Sequence, residues 1–505
     1  MPDAPLTAPR VPEADVSDSV LGALRSPRRL RTEVLGGLVV ALALIPEAIS
    51  FSIIAGVDPR LGLFASFTMA VSLAFLGGRP AMISAATGAI ALVIAPVVRD
   101  HGVQYLLATV ILGGVVQVVL GLVGVARLMR FIPRSVMVGF VNALAILIFL
   151  AQLPHLRDVP WTVYLLVAVG LVIVFGLPRL TNVVPAPLVA IVVLTAFTVT
   201  AAIAVPTVGD EGALPESLPA LLLPDVPLTL ETVGIVAPYA LTMALVGLLE
   251  SLMTAKLVDD ITDTHSNKTR ESWGQGAANI ITGFFGGMGG CAMIGQTMIN
   301  VKASGARTRI STFLAGVFLL VLVVGLGDLV AVIPMAALVA VMVLVAISTF
   351  DWHSVRPSTL RRMPKSETAV MLSTVAVTVA TRNLAYGVIV GVLVAMVAFA
   401  RRVAHLTEVR QVDETPDGTR VYAVTGELFF ASSNDLVYQF DYAGDPADVV
   451  IDMSGAHIWD ASTVATLDAI TTKYESRGKR VTIVNLDEDS ARRHDRLAGQ
   501  LGAGH

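Results

Sequence analysis

Apolar runs and short polar breaks alternate from residue 34 to residue 400. The runs fall at residues 34–57, 61–76, 102–125, 132–153, 159–177, 185–205, 232–257, 267–285, 310–326, 329–347, 367–381 and 384–400. A membrane helix needs about 20 mainly apolar residues, so this spacing predicts an α-helical membrane protein. Two further runs, 89–98 and 292–301, are only ten residues long. Breakers and small residues open both: Gly77-Gly78-Arg79-Pro80 and then Ser84-Ala85-Ala86-Thr87-Gly88 before the first, and the glycine-rich stretch 283–290 before the second. Short segments opened in this way are expected to be broken helices. These are tolerated at membrane depth only where they line a cavity or lie buried in protein. Together the segments number 14, an even total that returns the chain to the side on which it started.

The pattern divides into halves, 31–205 and 232–405, each expected to hold seven segments. In each half a carboxylate precedes the broken helix. Glu47 follows Pro46 inside the first run, and Glu250 sits in the middle of 232–257. An ionisable side chain at that depth costs roughly 2.5–3.5 kcal/mol on insertion scales and marks a functional site. Paired interrupted segments in two halves point to the binding site of a transporter built from inverted repeats. The positive ends of two opposed half-helices attract an anion. The candidate donors are the backbone groups of Ser84, Ala85, Ala86, Thr87 and Gly88 in the first half and of Gly295, Gln296 and Thr297 in the second. Two carboxylates beside a bound anion repel it, and protonation removes the repulsion. That is the logic of proton-coupled symport, with Glu47 and Glu250 as the coupling groups. Glu250 has a second possible role, bonding the broken helix of its own half.

Composition agrees with a polytopic protein: 55% of residues are hydrophobic and only 15% charged. The single cysteine, Cys291, excludes a disulfide within the chain and reads as a small residue packed beside glycines. Residues 1–30 are polar and proline-rich, lack the apolar core of a signal peptide, and read as a disordered tail. Basic residues set the orientation. Arg25, Arg28, Arg29 and Arg31 precede the first run. Arg127, Arg130 and Arg134, then Lys302, Arg307 and Arg309, then Arg356, Arg361, Arg362 and Lys365, and finally Arg401-Arg402 fall on the same side. The loop 206–231 carries Asp210, Glu211, Glu216 and Asp225 with no Lys or Arg, as suits an external face. The expected location is a bacterial-type cytoplasmic (inner) membrane, with the N-terminus and the C-terminal domain in the cytoplasm.

After Arg402 the composition becomes that of soluble protein. Strands are expected at 421–424, 449–453 and 480–484, and helices at 432–442, 462–474 and 490–498. This alternation predicts a small α/β domain over 406–505. Ser462 stands at a helix start, where it would cap the helix.

The stretch 245–309 resembles the sulfate permease family. The matching residues are Gly247, Glu250-Ser251-Leu252, Ala255-Lys256, Asp259, His265, Asn267, Glu271, Gln275-Gly276, Asn279, Gly283, Gly286-Gly287, Asn300 and Gly305-Ala306-Arg307-Thr308. The string Val449 to Gly455, followed by Asp460-Ala461-Ser462-Thr463 and preceded by Glu427 to Ala431, resembles a STAS domain (sulfate transporter and anti-sigma factor antagonist). The resemblance implies 14 transmembrane segments in two inverted seven-segment repeats sorted into core and gate domains, substrate held between the broken helices, and a homodimer. Where the family usually has Gln and then an aromatic four residues on, this chain has Glu47 and Phe51. Where it often has Arg or another polar residue, this chain has Gln296. In stand-alone STAS relatives, the serine matching Ser462 is phosphorylated. The implied activity is secondary anion transport. Glu47 in place of Gln points to protons as the coupling ion and to an organic dicarboxylate (fumarate or succinate) or sulfate as substrate. The alternatives are chloride/bicarbonate exchange, sodium-coupled bicarbonate transport, for which Thr254 is the nearest hint of a sodium site, and an anion-responsive signalling scaffold acting through the STAS domain. No enzyme activity, metal, organic cofactor or nucleic-acid partner is implied. The partners implied are a small anion, membrane lipid, a second copy of the chain, and a cytoplasmic protein at the STAS domain.

Overall fold

The computed structural model describes residues 19–125, 127, 132–180, 186–227, 229–404, 407–412, 418–433 and 435–500. Residues 1–18, Arg130 and Pro185 lie outside the described residues. The first half comprises α1 (Val20–Leu24), α2 (Pro27–Ala55), α3 (Pro59–Leu76), β1 (Ser84–Ala85), α4 (Gly88–His101), α5 (Val103–Val123), α6 (Arg134–Gln152), α7 (Trp161–Gly176) and α8 (Ala186–Thr200). The second comprises α9 (Leu230–Thr262), α10 (Lys268–Phe284), β2 (Cys291–Ala292), α11 (Ile294–Met298), α12 (Arg309–Gly325), α13 (Gly327–Ala331), α14 (Met335–Thr349), α15 (Pro357–Arg362), α16 (Lys365–Thr381) and α17 (Leu384–Ala404). Among the described residues, seven helices are long and apolar enough to cross a membrane: α2, α3, α5, α9 and α17, with α6 and α7 counted to Leu156 and Arg179. Helices α8, α12 and α14 are apolar but shorter. The chain is a multi-pass membrane protein.

The packing maps onto itself when the halves are exchanged. Helix α5 packs on α9 and α10, and its counterpart α12 packs on α2 and α3. A second group forms where α6 meets α14 and α16, and α7 meets α14 and α8. The two broken helices meet through β1 and β2, which pair antiparallel with Ser84 opposite Ala292 and Ala85 opposite Cys291. That crossing needs glycine at 290, because a Cβ there would lie 2.2 Å from the Ala85 carbonyl oxygen.

Several boundaries depart from expectation. Residues 20–24 form a helix whose N-cap is Ser19, and α2 begins at Pro27, so the described part of the stretch expected to be a tail is largely helical. The run 329–347 is not one helix: α13 ends at Ala331 and α14 starts after Pro334. Proline lacks the N–H a helix interior needs and pushes its predecessor out of the helical region. The second broken helix runs from Ile294 through a single π turn, Ile299–Ala303.

The second unit contains a four-stranded sheet of order β3-β4-β5-β6: β3 (Glu408–Val412), β4 (Arg420–Leu428), β5 (Asp448–Ile458) and β6 (Arg480–Val484). Strand β3 is antiparallel to β4, and the other pairs are parallel. Helices α18 (Phe430–Ser433), α19 (Ala461–Glu475) and α20 (Glu488–Leu497) complete it. Its core gathers Val424, Leu428, Ile451, Met453, Val464, Leu467 and Ile470. The helix expected over 432–442 is only α18 and a 3-10 turn, Leu436–Tyr438. Ser432 Oγ bonds the Phe429 N–H and the Glu427 carbonyl instead, a local competition that shortens helices. The buried Asp445 accepts from the hydroxyls of Tyr422 and Tyr474, and burial together with that carboxylate pushes the Tyr474 phenol up.

Candidate functional site

Helix α2 carries Glu47 directly after Pro46, and a turn later Phe51, which is 3% exposed. The Ser50 hydroxyl donates to the Pro46 carbonyl, a back-bond of the kind that bends helices. Phe51 packs against the start of α4, where a Cβ on Gly88 would come within 2.9 Å of the Phe51 ring. Thr87 is the N-cap of α4, and its Oγ1 accepts from Ile90 N at 3.3 Å. The backbone N–H groups of a helix's first turn have no intrahelical acceptor, so the Gly88 end of α4 presents a positive dipole.

These residues meet Glu250 of α9 around one cavity of about 120 Å³. Its walls are Glu47 and Phe51 of α2, Thr87 and Gly88, Glu250 and Met253 of α9, and Met293, Ile294 and Gly295. The facing wall comes from the second helix group: Phe140, Val141, Leu144 and Ile148 of α6, and Val345, Ser348 and Thr349 of α14. Two carboxylates thus face a space lined otherwise by apolar and hydroxyl side chains.

Both carboxylates hold a donor. Gln296 Nε2 donates to Glu47 Oε1 at 2.8 Å, joining α11 to α2. The other amide atom, Gln296 Oε1, is buried without a hydrogen-bond partner. Cys291 Sγ donates to Glu250 Oε2 at 3.0 Å, and Thr87 Oγ1 lies 3.1 Å from the same sulfur. Glu250 therefore bonds the strand that opens the broken helix of its own half. The Thr254 hydroxyl, the nearest hint of a sodium ligand, donates to the Glu250 carbonyl at 2.8 Å.

Other expected donors are engaged elsewhere. The Ser84 hydroxyl accepts from Gln275 Nε2 at 2.9 Å, and Ala85 pairs with Cys291. Ala86 N donates to Ser66 Oγ at 3.2 Å. Thr297 N donates to the Met293 carbonyl, while its hydroxyl bonds Ile83. Of the expected site residues, Glu47, Phe51, Thr87, Gly88, Glu250 and Gly295 line the cavity. Gln296 reaches it through Glu47. Ser84, Ala85, Ala86 and Thr297 form the scaffold behind it.

Sequence reasoning assigned no role to the residues that hold this scaffold. Asn279 of α10 clamps Gly290 from both sides, accepting its N–H at 2.9 Å and donating to its carbonyl at 3.0 Å. Ser251 Oγ accepts from Ala292 N at 3.1 Å. Glu271 accepts from Gly78 N and Arg79 N, and Glu33 from Arg307 N and Thr308 N. Each buried carboxylate holds a turn of the opposite half. Ser251, Glu271 and Asn279 stood among the residues that carry the family resemblance, and Glu33 directly precedes the first apolar run.

A second cavity, of about 800 Å³, shares Val141, Met253 and Ile294 with the first. Arg134, Lys256, Lys268, Asp260 and Asp351 line it. A third, of about 600 Å³ and lined by Arg99, His155, Tyr239 and Arg382, shares none of the first cavity's lining residues.

Comparison with known proteins shows the family. The sulfate permease family matches residues 30–169 and 155–374, and the STAS domain matches residues 410–498. The chain is 53% identical over 461 residues to the putative sulfate transporter YbaR of Bacillus subtilis, covering 91% of this chain and 95% of that one. It is 25% identical over 525 residues to the bicarbonate transporter BicA of Picosynechococcus sp., covering 93% and 91%. The transmembrane domain of a cyanobacterial BicA superposes with a TM-score of 0.64 at 25% identity, over 73% of this chain and 98% of that one. Murine Slc26a9 in its inward-facing state superposes with a TM-score of 0.77 at 17% identity, over 92% and 87%, which shows a shared fold. The chain belongs to the sulfate permease family, a family of anion transporters, and carries a C-terminal STAS domain.

Proposed function

We propose that the protein is a proton-coupled secondary transporter that carries an organic dicarboxylate of the fumarate or succinate type, or sulfate, by alternating access. The observation that carries the reading is the 2.8 Å bond from Gln296 Nε2 to Glu47 Oε1. A carboxylate stands beside the start of α4, where the helix dipole favours an anion, and it occupies an amide donor. With Glu47 ionised, an approaching anion meets a like charge and loses the donor. With Glu47 protonated, the charge is gone; once the amide turns over, the Glu47 O–H donates to Gln296 Oε1 and both amide hydrogens are available to the anion. Proton and anion then bind together.

The cavity's size supports a small cargo: about 120 Å³ holds about four waters at ~30 Å³ each. The adjoining cavity supports an inward-open state. Its Arg134, Lys256 and Lys268 are on the side that the distribution of basic residues places in the cytoplasm. The reading carries with it a bacterial-type cytoplasmic membrane, a cytoplasmic STAS domain and assembly from two copies.

The test is proton influx into liposomes holding the purified protein, with fumarate, succinate, sulfate, chloride or bicarbonate added outside. Acidification of the lumen by a dicarboxylate or sulfate, with chloride and bicarbonate silent, is the expected result. Movement of bicarbonate or chloride without acidification would sink the reading. Bicarbonate is the second reading, favoured by the 25% identity to proteins named bicarbonate transporter.

A further inference from the structure

The second carboxylate of the cavity is tied to a thiol, and the chain of bonds continues beyond it. Cys291 Sγ donates to Glu250 Oε2 at 3.0 Å. A thiol has a single hydrogen. With that hydrogen on Glu250, the 3.1 Å contact between Thr87 and Cys291 has the Thr87 hydroxyl as donor and the sulfur as acceptor. Thr87 Oγ1 itself accepts from Ile90 N at 3.3 Å. The hydrogens therefore run one way, from Ile90 through Thr87 and Cys291 to Glu250. Thr87 and Glu250 line the cavity, and Cys291 is fully buried behind them.

We infer that Cys291 is a positioning residue that ties the Thr87 hydroxyl to the charge of Glu250, so that Thr87 donates to an anion only when Glu250 is protonated. The inference rests on reading this cavity as the anion site. An ionised Glu250 only accepts, which fixes the direction of the chain. A proton taken from the aqueous phase onto Glu250 Oε2 turns that oxygen into a donor to Sγ. The S–H then rotates toward Thr87 Oγ1, and the Thr87 hydroxyl hydrogen is released toward the cavity. The only covalent change is the new O–H bond on Glu250. Glu47 withholds the Gln296 amide, and Glu250 withholds Thr87 through the sulfur. The donor of each half is thus kept from the anion until the carboxylate of the other half is neutral.

The titratable groups facing Glu250 are Glu47 of α2 across the cavity and Cys291 of β2. Helices α4, α5 and α10 present the uncharged Thr87, Gln117 and Asn279 at this level. The charged Lys256 and Asp260 of α9, Lys268 of α10, Arg134 of α6 and Asp351 line the adjoining cavity.

The test is a mutant cycle on the full chain in liposomes, reading the apparent affinity for sulfate and for succinate at acidic and at alkaline pH. In an otherwise wild-type protein, Thr87→Val is expected to weaken the affinity roughly three- to tenfold at acidic pH, the value of one neutral hydrogen bond, and to change little at alkaline pH. In a Cys291→Ala background the Thr87 hydroxyl is free at both, so Thr87→Val should cost the same factor at both. Cys291→Ser, which keeps a donor and an acceptor at that place, should restore the pH-dependent cost. A pH-dependent cost that survives in Cys291→Ala, or a pH-independent cost in the wild-type background, overturns the relay. If Thr87→Val costs nothing at any pH while transport persists, the anion does not bind at Thr87, and the reading of the cavity fails with it.

Discussion

Gln296 donates from Nε2 to Glu47 Oε1 across 2.8 Å, so the broken helix of one half is held to the carboxylate of the other half through a single amide. Glu47 is 249 residues away in the chain. A donor committed to a carboxylate is not available to an anion. In the proposed mechanism this competition ties binding to protonation.

Glu47→Gln removes both the charge and the titration. The variant should still take up anion down its own gradient, while an inward proton gradient no longer accelerates uptake. In the wild-type protein, uptake should rise as the pH on the side of the anion falls, because protonation neutralises Glu47 and releases Gln296. In Glu47→Gln that pH dependence should flatten. Proton-driven accumulation that persists in the variant rules out Glu47 as the coupling group. The readout is counterflow and pH-jump uptake in the same liposomes.

Gln296→Leu leaves the Glu47 carboxylate without its donor. A hydrogen bond to a charged group contributes roughly 1.5–3 kcal/mol, and here the anion also loses its potential partner. Anion affinity is expected to fall, most clearly at acidic pH where the amide is released. Unchanged affinity at acidic pH would show that the amide serves only Glu47.

Gly88→Ala tests the contact that shapes the N-terminal end of α4. The added Cβ would lie 2.9 Å from the Phe51 ring and 3.1 Å from Ile148. Overpacking of this kind costs roughly 1–3 kcal/mol, and here the cost falls on the cavity wall. Uptake should drop, and Phe51→Leu in the same protein should recover part of it by making room. If the pair is no better than the single variant, the clash is not with Phe51.

Much of this was legible in the sequence. Both broken helices and both carboxylates were readable because breakers and charges stand out in apolar runs, and Phe51 because it keeps the aromatic of the family pattern. The fate of individual N–H groups was not. The Ala86 N–H goes to Ser66, 20 residues back, and the Ser84 hydroxyl to Gln275, 191 residues on. Only the packing of α3 and α10 against the strands decides those partners. Cys291 looked like filler because its two partners are 41 and 204 residues away. In the soluble domain, β3 went unseen because an edge strand reading Glu-Val-Arg-Gln-Val has little apolar alternation to show.

Asn279→Leu should unfold the crossing of β1 and β2 before it touches the chemistry. The Gly290 N–H and carbonyl would both lose a partner, and Gln117 Oε1 would lose its bond from Asn279 Nδ2. A buried group left unpaired costs roughly 1–3 kcal/mol. The expected result is a lower thermal midpoint of the detergent-solubilised protein, with the pH dependence of any residual uptake intact. A normal midpoint with altered pH dependence would move Asn279 from scaffold to coupling.

Ser462 is exposed as the second residue of α19, and it does not cap the helix. Asp460 does, accepting from Thr463 N at 3.0 Å. Asp460→Ala should therefore destabilise the helix by roughly 0.5–2 kcal/mol, whereas Ser462→Ala should change it by less than about 0.5 kcal/mol. A negative charge at 462 sits at the positive end of the helix dipole, which favours it by roughly 0.3–1 kcal/mol, with Asp460 two residues away opposing it. A phosphate, or the Ser462→Glu substitution that imitates its charge, is thus expected to leave the domain folded and to change only the surface it offers. Hydrogen exchange of the α19 amides in the full chain measures all three variants. Protection lost in Ser462→Ala but kept in Asp460→Ala would reverse the assignment and make Ser462 the cap. Protection kept in Ser462→Glu, together with altered uptake, would mark the residue as a point of control.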